Sequence, residues 1–380
     1  MLDAVHLEKF EAGRYEQIHG YRYFVPNPIN KPWIWCDSEI NRLLEVAARK
    51  TGELNGFSDF VPDLDRFMKM HLTHEAVLSS KIEGTQTDID EALLPVKHIE
   101  KERKDDWREV HNYVEALQYA LQRMNTLPLG TRLIKETHRI LMKNVRGKHK
   151  NPGEFRRSQN WIGGTGPQNA VYVPPLHRYI SALMSDWEQF LHNNNLDTPD
   201  LIKAALLHYQ FESIHPFLDG NGRMGRLLIS LFLVEKKVLD KPVLSLSVYL
   251  EKNRRAYYDA LNRVRENNDM TSWWVFFLEA VIFSVEKTMQ SLRQTLELKS
   301  RLKSLLTLHF RTNKALWLLD YLFEKPVVSI SEVAELAGVT YKAAANTVKR
   351  FEQLDILKKK ALDRKTFVYS FEPYLQMFRD

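Results

Sequence analysis

Twelve consecutive residues constrain this chain more than any other stretch: His215-Pro216-Phe217-Leu218-Asp219-Gly220-Asn221-Gly222-Arg223-Met224-Gly225-Arg226. Gly220 and Gly222 flank Asn221 and open backbone angles that side chains close. The apolar run Leu227, Leu228, Ile229, Leu231, Phe232, Leu233 follows at once. It predicts a buried helix whose first turn is the glycine loop. Successive N–H groups and the positive helix end then face one point, which favours an anion. Arg223 and Arg226 are three apart and share a face of that turn, and their forked donors suit phosphate oxygens. Asp219 offers a hard oxygen able to hold Mg²⁺ against phosphate. His215 is the side chain here that titrates near neutrality.

Other readings of these residues fit less well. Gly220, Gly222 and Gly225 also spell G-x-G-x-x-G, but that dinucleotide motif follows a strand. Leu201 to Ser213 has helical spacing instead. A helix corner with packing glycines accounts for Gly225, but not for two arginines, an aspartate and a histidine around one loop.

The stretch resembles the Fic (filamentation induced by cAMP) signature, H-x-F-x-D/E-G-N-G-R-x-x-R, at all its defined positions. The resemblance implies a protein adenylyltransferase that moves AMP from ATP to a Tyr, Thr or Ser hydroxyl and releases pyrophosphate. By position it makes His215 the general base and Asp219 the Mg²⁺ ligand. Gly220, Asn221 and Gly222 become the phosphate cradle. Arg223 and Arg226 neutralise the phosphates, with Arg226 reaching the γ-phosphate. In-line attack at phosphorus depends on positioning and charge neutralisation, which suits these residue types.

Upstream, a helix is expected from Asp37 or Ser38, then a loop over 52–62, then a helix over 64–82. The second helix ends in Ser79-Ser80-Lys81-Ile82-Glu83-Gly84, with Gly84 suited to the position after the C-cap. A carboxylate is unfavourable at the negative end of a helix, so Glu83 calls for a cationic partner. Ser79, Glu83 and Gly84 also match S/T-x-x-x-E-G/N, the inhibitory motif of Fic proteins. What that likeness implies is autoinhibition, with Glu83 pairing Arg226 and taking the guanidinium that the γ-phosphate needs.

Elsewhere the pattern is mostly helical. Residues 1–36 are rich in aromatics and Pro without a period, and read as an extended arm packed on a domain. The charge run over 98–107 reads as a linker or helix start. Helices are expected over 107–124, 131–144, 176–193, 199–213, 251–267 and 271–300. Residues 154–175 place two short runs around Gly163-Gly164-Thr165-Gly166-Pro167 and read as a hairpin. That turn lacks the Gly-Lys-Ser/Thr ending of a phosphate loop. In Fic proteins the corresponding hairpin is a flap that registers the target by strand addition. In the segment resembling the family's adenine end, Tyr257 or Tyr258 would stack on the base and Asn262 would bond it. His208, by contrast, reads as a packed core histidine.

The last 80 residues predict helix, helix, turn at Gly338, helix and two strands, an order that resembles a winged helix. Over 331–369 eight basic residues face five acidic ones, a net +3. Lys342, Lys349, Arg350, Lys358, Lys359, Lys360, Arg364 and Lys365 are candidates to meet DNA phosphates, though winged helices also dock proteins. The overall net charge of +6 is only mildly basic. One cysteine, Cys36, excludes an internal disulfide and a cysteine metal cluster. With no signal-like N-terminus and no apolar span of about 20 residues, the chain reads as cytoplasmic and not membrane-bound.

Taken together, the expected fold is mainly α: a Fic-type helical bundle with a β-hairpin flap and a small C-terminal winged-helix domain. The expected units are 1–100 (arm and inhibitory helix), 101–300 (catalytic core) and 301–380 (winged helix-turn-helix). ATP and Mg²⁺ are the expected substrate and cofactor. The expected partners are a hydroxyl-bearing target protein on the 154–175 hairpin and DNA or a protein at the C-terminal unit, and a homodimer is left open. Two further readings stay open: removal of AMP by the same site, and a DNA-binding regulator whose core senses nucleotide.

Overall fold

Helix α7 (Asp200–Ile214) and helix α8 (Asn221–Glu235) form the axis on which the other elements pack, joined by the His215–Gly220 loop. Every residue from Leu201 to Ile214 is buried, as expected for a helix covered on all sides. The computed structural model describes residues 4–18, 20–145, 150–310, 313–363 and 366–379. Before the axis come strands β1 (Val5–His6), β2 (Gly13–Ile18), β3 (Tyr21–Pro26) and β4 (Trp33–Ile34). Helices α1 (Ser38–Asp59), α2 (Leu64–Ile82), α3 (Ile89–Ala92), α4 (Lys104–Met124), α5 (Thr131–Leu141) and α6 (His177–His192) follow. After it come α9 (Ser247–Lys252), α10 (Arg254–Asn267) and α11 (Met270–His309). The C-terminal unit is α12 (Lys314–Glu324), β5 (Val327–Val328), α13 (Ile330–Leu336), α14 (Tyr341–Gln353), β6 (Lys358–Ala361), β7 (Phe367–Ser370) and α15 (Glu372–Leu375).

The mainly helical class is as expected. Helix α1 lies along α11, α2 packs on α4 and α9, and α4 packs on α5 and α8. The Asp37 carboxylate caps α1 by accepting from Ile40 N–H. Helix α2 ends in Glu83, with Gly84 next at φ +98°, a left-handed position that glycine fills freely. In the C-terminal unit, β5, β7 and β6 form an antiparallel sheet in the order β5-β7-β6 behind α13 and α14. This is the winged-helix element order, and Gly338 turns at φ +59° between the two helices. The unit packs back on α2 through α12 and on α11 through α12 and α15.

Several expected boundaries are corrected. The loop expected over 52–62 is largely helix, because α1 runs on to Asp59 with Leu54 fully buried; core packing outweighs the helix cost of Gly52 and Gly56. Helix α11 runs through the boundary expected between 300 and 301, with Leu298, Leu302 and Leu306 buried. The expected 154–175 hairpin is an irregular loop closed by one antiparallel bridge, Ile162 to Tyr172. Gly163 and Gly164 both take positive φ, and the Asn169 side chain accepts from Thr165 and Gly166 N–H. The turn backbone is thus bound to a side chain, and backbone pairing across it is confined to Ile162 with Val171 and Tyr172. The hairpin lies instead in the arm, where β2 pairs with β3 antiparallel from Gly13↔Pro26 to Ile18↔Tyr21. Phe24 N–H donates to the Val173 carbonyl at 2.9 Å, so the two segments meet edge to edge.

Candidate active site

His215 terminates α7 in the left-handed conformation at φ 50°, and Gly220 opens α8 at φ +75°. Between them, Asn221 locks the turn. Its Oδ1 accepts from Phe217 N–H and its Nδ2 donates to the Phe217 carbonyl, both at 2.8 Å. The Asn221 side chain therefore holds the loop shape, and only its backbone is left for a ligand. The N–H groups of residues 221–223 lie in the first turn of α8, beyond reach of that helix's own carbonyls. Gly222 is helical, so freedom of φ is not its role. A Cβ there would lie 2.1 Å from Glu83 Oε1 and 3.1 Å from Arg226 Nη1. Gly225 is likewise a close-packing position, 2.3 Å from Glu212 Oε1.

The two arginines diverge despite their shared turn. Arg226 Nη2 donates to Glu83 Oε1 at 2.7 Å and to the Ser79 carbonyl at 2.8 Å. Its Nε donates to Ser79 Oγ at 2.8 Å. The Arg226 side chain is 1% exposed and the Glu83 side chain 34% exposed. Burial raises the Glu83 pKa, but the charge and hydrogen bond of Arg226, with Arg223 and His215 adding to them, hold it below the usual carboxylate range. Arg226 is raised further still above its ordinary value by Glu83, against the cost of burial. Arg223 instead pairs with Glu109 of α4 at 2.9 Å and meets Met142 Sδ at 3.6 Å. Asp219 lies 3.9 Å from it.

His215 is held by a residue that the sequence did not single out. Arg156 is 3% exposed. Its Nε donates to the His215 carbonyl at 2.9 Å and its Nη2 to the Pro175 carbonyl at 2.5 Å. The His215 ring has Nδ1 3.8 Å from Glu212 Oε2. Burial first, then the charges of Arg156 and Arg265, lower its pKa to about 3, so the ring is neutral at physiological pH. Glu212 is pushed up to about 7 by burial. His138 supports the loop from α5. Its Nδ1 accepts from Gly153 N–H, so Nε2–H donates to the Asp219 carbonyl, both at 2.9 Å. Its ring stacks on Phe217 at 3.7 Å. Arg156 and His138 are distant in sequence, which hides them from local motifs, whereas Glu212 lies one helical turn before His215.

The residues expected at the adenine end are rearranged. Tyr257 is 1% exposed and its hydroxyl donates to His208 Nε2 at 2.8 Å, while His208 Nδ1–H donates to the Gly225 carbonyl at 3.1 Å. Tyr257 is thus a core residue, and a stacking role for it is corrected; His208 packs as expected. Tyr258 is half-buried and donates to the Ile82 carbonyl at 3.3 Å, beside Glu83. Asn262 Oδ1 accepts from Arg265.

Asp219 has a partly exposed side chain whose Oδ2 meets Lys150 at 3.1 Å and whose Oδ1 accepts from Gly220 N–H at 2.7 Å. Among the described residues no group of three or more His, Cys, Asp or Glu could hold a metal ion. A single carboxylate next to phosphate oxygens is nevertheless a usual Mg²⁺ arrangement, and Asp219 fits it. No helix of the described residues is long and apolar enough to cross a membrane.

Fold and site together define a helical bundle with a histidine-capped Gly-Asn-Gly loop at a helix mouth. The family model for the Fic/DOC family matches residues 128–233, and that for the Fic/DOC family N-terminal region matches residues 41–122. Residues 41–122 and 128–233 of this chain thus carry the N-terminal and core regions of the Fic/DOC family. The chain is 30% identical over 167 residues to the protein adenylyltransferase Fic of Drosophila erecta and 31% identical over 168 residues to that of Aedes aegypti. Each match covers 42% of this chain and 30% of the relative, so the chain spans under a third of these relatives. Its fold is similar to that of a Fic family protein from Desulfovibrio desulfuricans G20, with TM-score 0.56 and 19% identity over 90% of this chain and 98% of that one. A Fic domain containing signaling protein from Bacteroides thetaiotaomicron VPI-5482 gives TM-score 0.53 and 20% identity, over 67% of this chain and 97% of that one.

Proposed function

We propose that this protein transfers AMP from ATP to a hydroxyl of a target protein, or of itself, and that Glu83 restrains it. The pairing of Arg226 with Glu83 at 2.7 Å, beside the open first turn of α8, carries the reading. A polyphosphate at that turn meets the N–H groups of residues 221–223 and the helix dipole. Its terminal phosphate competes with Glu83 for Arg226. Arg223, with Glu109 as counter-charge, keeps a cation next to Asp219. Asp219 would hold Mg²⁺, which would supply charge neutralisation at the phosphates.

His215 Nδ1 is buried without a hydrogen bond, 3.8 Å from Glu212 Oε2, so Nε2 is the nitrogen left to face a target. The neutral ring takes the proton of the target hydroxyl as that oxygen attacks the α-phosphorus. The new O–P bond forms as the bond to the bridging oxygen breaks, and pyrophosphate leaves. The target segment runs along the irregular 154–175 loop, where Trp161 and Val171 are exposed. The test is label transfer from α-labelled ATP with Mg²⁺, using the Glu83→Gly protein. Transfer lost in Glu83→Gly/His215→Ala supports the reading; transfer unchanged without His215 contradicts it. Hydrolytic removal of AMP by the same site is read in parallel, as loss of label from pre-labelled protein.

A second reading concerns the C-terminal unit. Lys358, Lys359 and Lys360 are exposed along β6, and Lys342 and Lys349 are exposed on α14. Such a surface suits a phosphate backbone. Arg350 is spent within the protein, on the His309 carbonyl and the Phe310 ring; Arg364 and Lys365 lie outside the described residues. Salt-sensitive duplex binding that Lys358→Ala/Lys359→Ala/Lys360→Ala abolishes would establish this reading. Binding that ignores those lysines would remove it.

A further inference from the structure

As a general base His215 has a weakness. Burial and the charges of Arg156 and Arg265 hold its ring at about 3, far below the neutral range where such a base works best. Something must stabilise the imidazolium that forms when the ring takes a proton. The charge of Glu83 acts in that sense, but on the adenylylation reading a polyphosphate displaces it.

Glu212 stands where such help can come from. It lies one helical turn before His215 on α7 and is 5% exposed. Its Oε2 is 3.8 Å from His215 Nδ1, about 1 Å beyond hydrogen-bond length. His215 Nδ1 and Glu212 Oε1 are both buried without a hydrogen-bond partner. Two unsatisfied groups on facing side chains call for an explanation. A small movement brings them together, and catalytic contacts are often long before substrate binds. The Glu212 backbone carbonyl is a further acceptor on the ring. Both acceptors call for hydrogen on Nδ1, which leaves the lone pair on Nε2.

The other groups around the carboxylate are Arg226 of α8, Glu83 at the end of α2, and Arg265 and Tyr257 of α10, with His208 on its own helix. The donors among them bond elsewhere. Arg226 donates to Glu83 and Ser79, Arg265 to Ser213 and Asn262, and Tyr257 to His208. Arg156, from the 154–175 loop, faces the ring rather than the carboxylate.

We propose that Glu212 is the positioning residue of the base: its carboxylate holds His215 with hydrogen on Nδ1 and stabilises the imidazolium formed when Nε2 takes the hydroxyl proton. The proposal rests on the adenylylation reading for the proton that is taken. The carboxylate does not take it in turn; the proton stays on Nε2 until the product leaves, then passes to water. Burial raises Glu212 to about 7, against the charges of Arg226 and Arg265. Its working form is the ionised one, which prevails above that pH.

The first test needs no group transfer. Parent protein with isotope-labelled histidine is titrated by NMR between about pH 5.5 and 8.5, with the His215 ring identified by its loss in His215→Ala. The ring should stay neutral with hydrogen on Nδ1. Its signals should still move through one step near pH 7 as Glu212 ionises, and Glu212→Gln should abolish that step. Hydrogen on Nε2, no step in the parent, or a step kept in Glu212→Gln overturns the proposal. The second test is self-labelling by Glu83→Gly at saturating ATP. Glu83→Gly/Glu212→Gln should label tenfold or more slowly with ATP affinity unchanged, because Gln keeps the shape beside Gly225 and removes only the charge. An equal rate, or a loss confined to ATP affinity, overturns the proposal. No transfer by Glu83→Gly itself would count against the adenylylation reading, and the titration would still decide the place of Glu212.

Discussion

Arg226 of α8 and Glu83 at the end of α2 meet at 2.7 Å, although 143 positions separate them. The same guanidinium takes the Ser79 hydroxyl and carbonyl, each at 2.8 Å. A helix C-terminus is a poor place for a carboxylate, and a buried unpaired arginine is costly. Each residue resolves the other's problem. A polyphosphate must displace Glu83 in order to use Arg226, and on the proposed reading that competition is the restraint.

Ser79→Ala removes one charge-assisted hydrogen bond from Arg226, worth roughly 1.5–3 kcal/mol. It leaves Glu83 in place. Self-labelling with α-labelled ATP should rise over the parent but stay below that of Glu83→Gly. A Ser79→Ala protein as active as Glu83→Gly would mean that the hydroxyl, not the carboxylate, is the restraint.

Gly222→Ala should behave differently. Its Cβ takes the ground of Glu83 Oε1, 2.1 Å away, so it disturbs the pairing. The same methyl occupies the space beside the helix mouth that a phosphate needs. Gly222→Ala should therefore show no more label transfer than the parent, and Glu83→Gly/Gly222→Ala should lose about 10²-fold or more relative to Glu83→Gly. Transfer at the Glu83→Gly level in the double variant would contradict the cradle.

Acid should unfold the protein early. Burial lowers His71, His74 and His138 to about 4, and His208 and His215 to about 3. Below about pH 6.5 the unfolded chain takes up protons that the folded chain refuses. Stability is then fully present above pH 6.5 and is lost as pH falls towards 3–4. Glu212, raised to about 7, and Glu75, Glu91 and Asp186, also raised by burial, act in the opposite sense, losing stability as pH rises, but they are four groups against five. Urea midpoints should fall steadily from pH 7 to pH 5. Midpoints that hold constant or rise over that range would contradict the burial of these rings.

Phe378 joins the C-terminal unit to α2. It is 4% exposed and meets His74, Phe67 and Tyr374 at ring distances of 5.5, 6.4 and 5.2 Å. Phe378→Ala should cost about 3 kcal/mol, the low end for a buried phenylalanine, as read by urea unfolding. A cost below about 0.5 kcal/mol, the surface range, would mean that this contact is not made in solution.

The site was legible where its residues are neighbours in sequence. His215, Asp219, the Gly-Asn-Gly loop and the α8 run stand together, so spacing alone gives the loop and its helix. Glu83 was legible as a carboxylate in want of a cation, but Arg226 as that cation came only from the family resemblance. Arg156, Glu109 and His138 were missed because tertiary packing, not local pattern, brings them in; Glu212, one turn before His215, was within reach of helical spacing. The β2–β3 hairpin was hidden for a related reason. Tyr23 and Val25 pack with Val173 on one side, while Phe24 enters the main core on the other. A strand covered on both faces shows no alternation. Conversely, the 154–175 segment has hairpin composition, yet the Asn169 side chain takes the turn N–H groups that a ladder would use.

The most direct test is ATP affinity and self-labelling measured together on the parent and on Glu83→Gly, with Arg226→Ala/Glu83→Gly as control. The account predicts weak label transfer by the parent and a rise of at least tenfold in Glu83→Gly. It also predicts that the rise is abolished when Arg226 is removed as well. Equal transfer by the parent and Glu83→Gly, or a rise that survives without Arg226, would contradict it.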